Sequence, residues 1–531
     1  MKQGMQGESR VGVLVVGAGL AGLSTAMFLA QRGVDVLVVE KHTTTSVHPR
    51  AAGQNPRTME LLRSAGIADA VIGESHDISG GMIIKVAASV CGEVFQSISA
   101  GSEDVDTSAI SEEGWGMATQ DRVEPIMLAR ARELGATARF GVEVDSVEQD
   151  ADGVTVHLHD RASGQRDIVR ADYLIAADGH RSPIREACGI GRHGKDTLSN
   201  SIGVVFEADL SDVVDQSAAV VYYLRNPAFA GAFGSVSGQD RYVFNLDYDP
   251  SETDAAEYTE DKIRELLRIA VDEPDLEPKI LGISAWEIGA QVADRFRDGR
   301  IFLAGDSAKV NPPTGGMGGN TAIGDAFDLS WKLAAVLADE AGPGLLDTYE
   351  TERQPIAELV VTRTLHNARE RMGPEEQLDL SDRPEPLEPN TIVFGARYRS
   401  AAVVSDATEG EAEDPLNPSG RPGFRAPYVP LSGVTTSTTR LFGQDWVLIA
   451  GPDGAAWLDA IGEVGVGVTV RGVQVGADIV DETGAVIEKY GIGTAGASLI
   501  RPDGVVAWRT NTASPDPAAI LAGVLTSLLA R

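Results

Sequence analysis

The 531-residue sequence predicts an α/β protein in which a doubly wound parallel layer carries an inserted mixed sheet and is followed by a compact C-terminal α/β segment. Three observations predict it. A β-branched run, a glycine turn, an Ala/Leu-rich stretch and a second β-branched run follow one another within about 30 residues, which is a βαβ unit with parallel strands. Two further apolar runs, near residues 175 and 303, end in Asp-Gly and Gly-Asp, as strands of the same layer do. Between them, residues 191–287 alternate short β-rich runs with turn residues, so a separate sheet interrupts the layer.

Residues 13–16 (VLVV) form the first strand and stop at Gly17. Residues 20–32 predict a helix, and 34–40 (VDVLVVE) predict a second buried strand. Residues 143–148 and 154–159 flank Asp152-Gly153 as a hairpin does, and 173–177 form another apolar strand ending at Asp178-Gly179. The inserted sheet holds SIGVVFEADL, AAVVYYLR and RYVFNLDY, with one helical stretch, EDKIRELLRIAV. Residues 300–306 (RIFLAGD) return to the parallel layer and lead into NPPTGGMGGN. Helices are expected over 321–338 and 346–372. Residues 373–391 combine Pro and acid without an apolar period and read as a linker. From about residue 399 a last α/β segment follows, with Trp446 and Trp457 as core residues and a helical end over 517–531.

Composition narrows the function classes. Asp plus Glu number 78 against 45 Lys plus Arg, a formal charge of −33 that repels phosphate backbones and anionic lipid. Nucleic-acid and membrane partners are therefore not expected. Residues 11–30 carry no charge and approach the length of a bilayer span, but patterned glycines interrupt them and an equally apolar strand follows. Cys91 and Cys188 are the only cysteines, which excludes a disulfide framework, a C-x-x-C redox pair and a cysteine metal cluster. A reducing, cytoplasmic setting is the simplest reading. His157 and His159 share one strand face without a third ligand, so no metal is expected. No G-x-S-x-G elbow supports a hydrolase.

The chemistry begins at Gly17-x-Gly19-x-x-Gly22. Glycines between a strand and a helix let the chain turn sharply and let backbone N–H groups approach a pyrophosphate at the positive helix end. Glu40 closes the second strand, where a carboxylate accepts from a ribose hydroxyl pair, so the unit predicts dinucleotide binding. NAD and FAD proteins share that unit. In Asn311-Pro312-Pro313-Thr314-Gly315-Gly316-Met317-Gly318-Gly319-Asn320, prolines stiffen the turn and glycines let amides face a planar ligand without Cβ obstruction. A helix starting near Asn320 aims its positive end at that ligand.

Together the glycine turn, DGHRSPIR (178–185) and Gly305-Asp306 resemble, in order and spacing, the aromatic-ring hydroxylases of the flavoprotein monooxygenase superfamily, with the para-hydroxybenzoate hydroxylase fold. The resemblance covers about residues 10–370. PRAAGQNPRTMELL (49–62), LFGQDW (441–446) and YGIGTAGASLIRPDG (490–504) bring it closest to the hydroxylases of aromatic polyketides, such as the aklavinone and angucyclinone hydroxylases. It implies an FAD-binding domain of Rossmann type over 1–82, 107–190 and 288–372. A substrate domain takes 83–106 and 191–287, a linker 373–398, and a thioredoxin-like domain without redox cysteines 399–531.

The resemblance also implies that Glu40, with Lys41 beside it, binds the adenosine ribose and that Arg50 and Gln120 lie along the FAD. Asp178 then supports both FAD and NADPH, Asp306 holds the ribityl chain, and Pro313, Gly316, Gly318, Gly319 and Asn320 border the flavin. One departure stands out: the family often has His three residues after the Gly-Asp aspartate, where this chain has Lys309. Pro312 is a candidate pocket wall. Tyr222 and Tyr223 point to opposite faces of one strand, so one of them can reach a flavin-facing cavity and bond a substrate hydroxyl. Arg371, at a helix end, is a candidate to lower that hydroxyl's pKa.

The implied reaction is hydroxylation of an electron-rich ring, on a phenolic polyketide or a hydroxypyridine, with NADPH or NADH as reductant and O2 as cosubstrate through a flavin C4a-hydroperoxide. Baeyer-Villiger oxidation of a polyketide and a noncatalytic flavin-binding redox partner are the alternatives. Homo-oligomerisation stays open.

Overall fold

The computed structural model describes residues 9–76, 81–100, 106–214, 218–235, 240–372, 379–381, 383–404, 406, 410–433 and 435–531. Its first sheet has five parallel strands in the order Ile301–Leu303, Arg166–Ala176, Ser9–Val16, Val36–Glu40, Thr137–Phe140. Central strands buried on both faces explain the continuous Val/Leu/Ile runs. The hairpin expected around Asp152-Gly153 pairs Val142–Asp150 with Gly153–Asp160 and continues onto Arg166–Ala176.

Helix Leu20–Gln31 is buried from Leu20 to Ala30, so it shows no polar face. It lies between the sheet and helix Met317–Leu337, where Phe28 meets Phe327 edge-on at 4.8 Å between centroids. Helix Met317–Leu337 starts a turn earlier than expected, which places Gly318, Gly319 and Asn320 inside its first turn. Two successive left-handed glycines, Gly315 (φ +111°) and Gly316 (φ +63°), reverse the chain and let the helix begin at once.

The second sheet runs Lys309–Val310, Lys279–Ala293, Arg192–Glu207, Arg241–Tyr248, Phe229–Ser235, Ala219–Asn226, Met82–Ala87, Val94–Ala100. Helix Glu260–Val271 covers one face, burying Ile263 and Leu267 with Phe206, Phe233 and Tyr242. The other face turns toward the first sheet's domain. Arg241 donates to Asp121 (2.9 Å) and to the Val47 carbonyl (3.3 Å), and a Cβ on Gly282 would lie 3.5 Å from His48.

The C-terminal sheet, ordered Val470–Gln474, Trp446–Ala450, Ala497–Ile500, Val506–Thr510, has one parallel and two antiparallel pairings, with Trp446 and Trp457 in its core. The free cysteines Cys91 and Cys188 lie outside it. The expected linker is partly a packed element: Thr391–Gly395 forms a π-helical turn that buries Ile392 and Phe394. Ile392 packs with Met317, Ile356 and Val360, so the helix pair needs this turn to finish its core.

A buried ionic network joins this unit to the first domain. Lys332 Nζ donates to Asp328 and Glu352, both at 2.7 Å, and Arg501 donates to Glu352 at 2.6 Å and to Asp503. Burial opposes the charge on Glu352, but Arg501 and Lys332 outweigh it and hold the carboxyl below its usual range. The carboxylates of Asp328, Glu352 and Asp503 cluster closely, and the two cations satisfy them.

Candidate active site

The three glycines of the first turn do different work. A Cβ on Gly17 (φ +103°) would lie 2.2 Å from the Ala177 carbonyl oxygen, and one on Gly22 would lie 1.8 Å from the Gly17 oxygen. Both positions serve close packing. Gly19 meets nothing nearer than Glu124 Oε1 at 3.8 Å and precedes a helix with no side-chain cap and no acid in its first turn. Its N–H groups are therefore left for a ligand.

Glu40 ends its strand with Oε2 accepting from the Ala18 N–H and Oε1 from the His42 N–H, both at 2.8 Å. Lys41 is exposed, and its carbonyl accepts from Arg161 at 3.1 Å. Arg50 is exposed while its carbonyl accepts the Gln120 N–H at 2.8 Å, which docks the 46–50 segment on helix Gln120–Glu133.

Glu124 organises this corner, and the sequence reading missed it. It is fully buried and accepts from Gln120 Nε2 at 2.6 Å and from the Ser46 N–H at 2.7 Å. Burial pushes its carboxyl above the usual range. The available signal is an acid within the buried stripe Val123, Glu124, Met127, Ala131, where an apolar residue belongs.

Asp178 and Asp306 close neighbouring strands with opposite outcomes. Asp178 is committed to its own turn: Oδ1 accepts from Ser182 Oγ at 2.6 Å and Oδ2 from the Ile184 N–H at 3.2 Å. Burial raises its carboxyl. Asp306 is exposed, and among the described residues its carboxylate has no hydrogen-bond partner. Gly305 (φ +67°) sits so close to the first helix that its Cβ would lie 2.7 Å from that of Ala21. Asp306 is thereby presented beside the Gly19 turn.

The proline-glycine loop is held from behind. Pro312 is buried and Pro313 is exposed, its carbonyl accepting from the Gly316 N–H at 3.1 Å. Thr314 Oγ1 donates to the Thr364 carbonyl at 2.7 Å, and Asn367 donates back to the Thr314 carbonyl at 3.2 Å. Gly318 faces Asn311, and a Cβ on Gly319 would lie 2.9 Å from Leu20 and 3.1 Å from Ala51, so Gly319 locks the two helix N-termini together. Asn320 accepts from the Asn55 N–H at 2.9 Å and donates to the Gly53 carbonyl at 2.8 Å. Helix Met317–Leu337 also has no side-chain cap. Lys309 faces away into the core, its Nζ 3.6 Å from Asp325 and without a hydrogen bond.

The tyrosine pair is divided by the sheet. Tyr222 is buried in the cluster beneath helix Glu260–Val271, its ring edge-on to Phe233 at 6.0 Å. At that position Tyr222 is a core residue of the sheet, where a substrate contact is expected of one of the pair. Tyr223 is half-buried on the face turned toward the first domain. Arg371 lies near the end of helix Asp347–Met372, and its side chain falls outside the described residues.

Two uncapped helix N-termini thus meet at Gly319, beside a carboxylate that has no hydrogen-bond partner among the described residues. This donor set fits FAD: N–H groups for a pyrophosphate and for the flavin's pyrimidine edge, and Asp306 for ribityl hydroxyls. An FAD-binding-domain family model matches residues 10–364, and an aromatic-ring hydroxylase C-terminal model matches 419–531. The chain belongs to the FAD-dependent aromatic-ring hydroxylases.

Among its relatives, aklavinone 12-hydroxylase of Streptomyces purpurascens is 49% identical over 99% of this chain and 100% of that protein. The tetracenomycin A2 monooxygenase-dioxygenase of Streptomyces glaucescens is 38% identical over 98% of this chain and 97% of its own. A solved ternary complex of aklavinone-11 hydroxylase with FAD and aklavinone superposes with a TM-score of 0.92 at 48% identity, covering 99% of this chain and all of that one. The flavin-dependent monooxygenase PieE, solved with FAD and substrate, gives 0.90 at 32% identity over 99% of this chain and 100% of that one. No helix among the described residues is long and apolar enough to cross a membrane.

Proposed function

We propose that this chain hydroxylates an electron-rich ring of a fused-ring aromatic polyketide, consuming NAD(P)H and O2. The observation that carries the reading is the pair of uncapped helix ends beside Asp306. The half-buried sheet face that bears Tyr223 turns toward the same domain and supports it. When bound, FAD supplies the redox chemistry that links NAD(P)H to O2. The chain's task is to hold the ring near it and keep water out.

Within that task, the N-terminus of helix Met317–Leu337 favours negative charge on the reduced cofactor. Pro312 walls the pocket, Tyr223 holds a substrate hydroxyl, and Arg371 lowers that hydroxyl's pKa. The names of the relatives, aklavinone hydroxylases and a tetracenomycin monooxygenase-dioxygenase, support a polycyclic phenol as substrate. The single glycine fingerprint supports transient NAD(P)H binding across the cleft rather than in a second dinucleotide domain.

Anaerobic stopped-flow reduction by NADPH, with and without aklavinone, monocyclic phenols and hydroxypyridines, tests this. A polycyclic phenol is expected to accelerate flavin bleaching, and admitted O2 to yield a hydroxylated product. A flavin that NADPH never reduces with any ligand refutes the reading, and a ring-expanded ester as product replaces hydroxylation with Baeyer-Villiger oxidation.

A further inference from the structure

Pairing registers place Tyr223, Ala232, Asn245, Gly203 and Ser284 in one row across five adjacent strands of the second sheet. All five belong to the face away from helix Glu260–Val271, because their chain neighbours Tyr222, Phe233, Phe244, Ile202 and Val204 fill the core on the other side and Ile283, beside Ser284, packs against it. The row spans four strand spacings, about 19 Å. Its polar members, Tyr223, Asn245 and Ser284, are separated by the two smallest side chains, Ala232 and Gly203. All five residues are half-buried, as a cleft floor is.

At the Gly203 end three polar groups converge. A Cβ there would lie 3.1 Å from Asn245 Oδ1, 3.1 Å from Trp286 Nε1 and 3.4 Å from Ser284 Oγ. Trp286 comes from the next row, opposite Ser201. Among the described residues no hydrogen bond occupies the side chains of Asn245, Ser284 or Trp286. Indole N–H only donates, Asn offers both kinds of group, and Ser does either. Because Gly203 carries no side chain, Asn245 and Trp286 lie across its strand, and polar groups gathered in this way, without a hydrogen bond among the described residues and short of full burial, are arranged for a ligand.

We infer that Gly203, Asn245, Ser284 and Trp286 form a substrate-orienting subsite for a flat fused-ring phenol bearing a hydroxyl beside a ring carbonyl. Trp286 Nε1–H donates to the carbonyl oxygen and Asn245 Oδ1 accepts from the hydroxyl, while Gly203 lets both side chains lie over its strand. The inference rests on the proposed polycyclic substrate and adds which residues orient it. These are positioning residues: they fix which ring carbon faces the cofactor and take no part in bond making.

The test uses the FAD-loaded protein with aklavinone as probe, its dissociation constant read by quenching of protein fluorescence and by calorimetry, which needs no turnover. W286F keeps the ring and removes only the N–H. It is expected to weaken aklavinone about tenfold, the worth of one buried hydrogen bond, and to raise KM with a smaller change in kcat. N245A is expected to do the same and to broaden the range of hydroxylated positions. G203V must push both side chains aside and is expected to abolish aklavinone binding. FAD content and melting temperature report folding of each variant.

If W286F, N245A and G203V all hold FAD and bind aklavinone like the parent, the subsite is wrong though the hydroxylase reading stands. If the FAD-loaded parent binds neither aklavinone nor any other polycyclic phenol, the polyketide reading fails and the subsite falls with it.

Discussion

Glu124 shows how one side chain can govern a cofactor corner without being a textual motif. Its two oxygens tie helix Gln120–Glu133 to the 46–50 segment, and so fix Gln120 and Arg50 relative to the Gly19 turn. Truncation by E124A leaves the Gln120 amide and the Ser46 N–H without their acceptor, at about 1–3 kcal/mol for a buried unsatisfied donor. FAD affinity is expected to fall at least tenfold, with E124Q intermediate because it keeps one acceptor. Titration of the apoprotein by flavin fluorescence checks both. His193 makes a prediction of a different kind. Hydrogen bonds that it donates to Asp294 and Glu358 raise its pKa above its ordinary value against the opposing effect of burial. A His with a raised folded pKa stabilises fully below its unfolded value and loses that contribution as pH rises through the folded one. H193Q is therefore expected to lower the melting temperature at pH 6 and to match the parent at pH 9.

At the scale of elements, the cleft depends on two helices starting at the same place. Gly319 sits where they touch, and a branched side chain there must push Leu20 or Ala51 aside. G319V is expected to weaken FAD more than tenfold while circular dichroism keeps the helical signal of the parent. The helix start at Met317 was not legible from composition, because a glycine-rich stretch reads as loop until its left-handed pair and the packing against Leu20–Gln31 are known. The π-helical turn Thr391–Gly395 escaped for a similar reason: its apolar residues are too few to show a period, and only the waiting Met317–Ile356–Val360 surface makes it fold.

For the molecule as a whole, the C-terminal unit is joined to the flavin helices through charge as well as apolar contact. Trp331 of helix Met317–Leu337 packs edge-on to Trp446 at 5.8 Å, and Arg501 reaches Glu352 and Asp328 from the other side of the junction. Removing one partner of such a buried network strands the remaining charges, a loss of about 3–5 kcal/mol. R501M is expected to lower the calorimetric unfolding temperature by several degrees and to release FAD earlier in the scan.

The sequence by itself determined the βαβ unit, the glycine turn with Glu40, the two strand-end aspartates and the existence of an inserted sheet. These are properties of short, contiguous stretches, where residue type and spacing fix backbone conformation. It also reduced the tyrosine choice to a pair, since strand alternation requires Tyr222 and Tyr223 to part. Only the tertiary structure decided which of them is buried beneath the helix, recruited Glu124, and brought Asn245, Gly203, Ser284 and Trp286 together from three strands. Such assignments depend on which face a helix covers and on strand register between segments far apart in the chain, and neither is written in any local pattern.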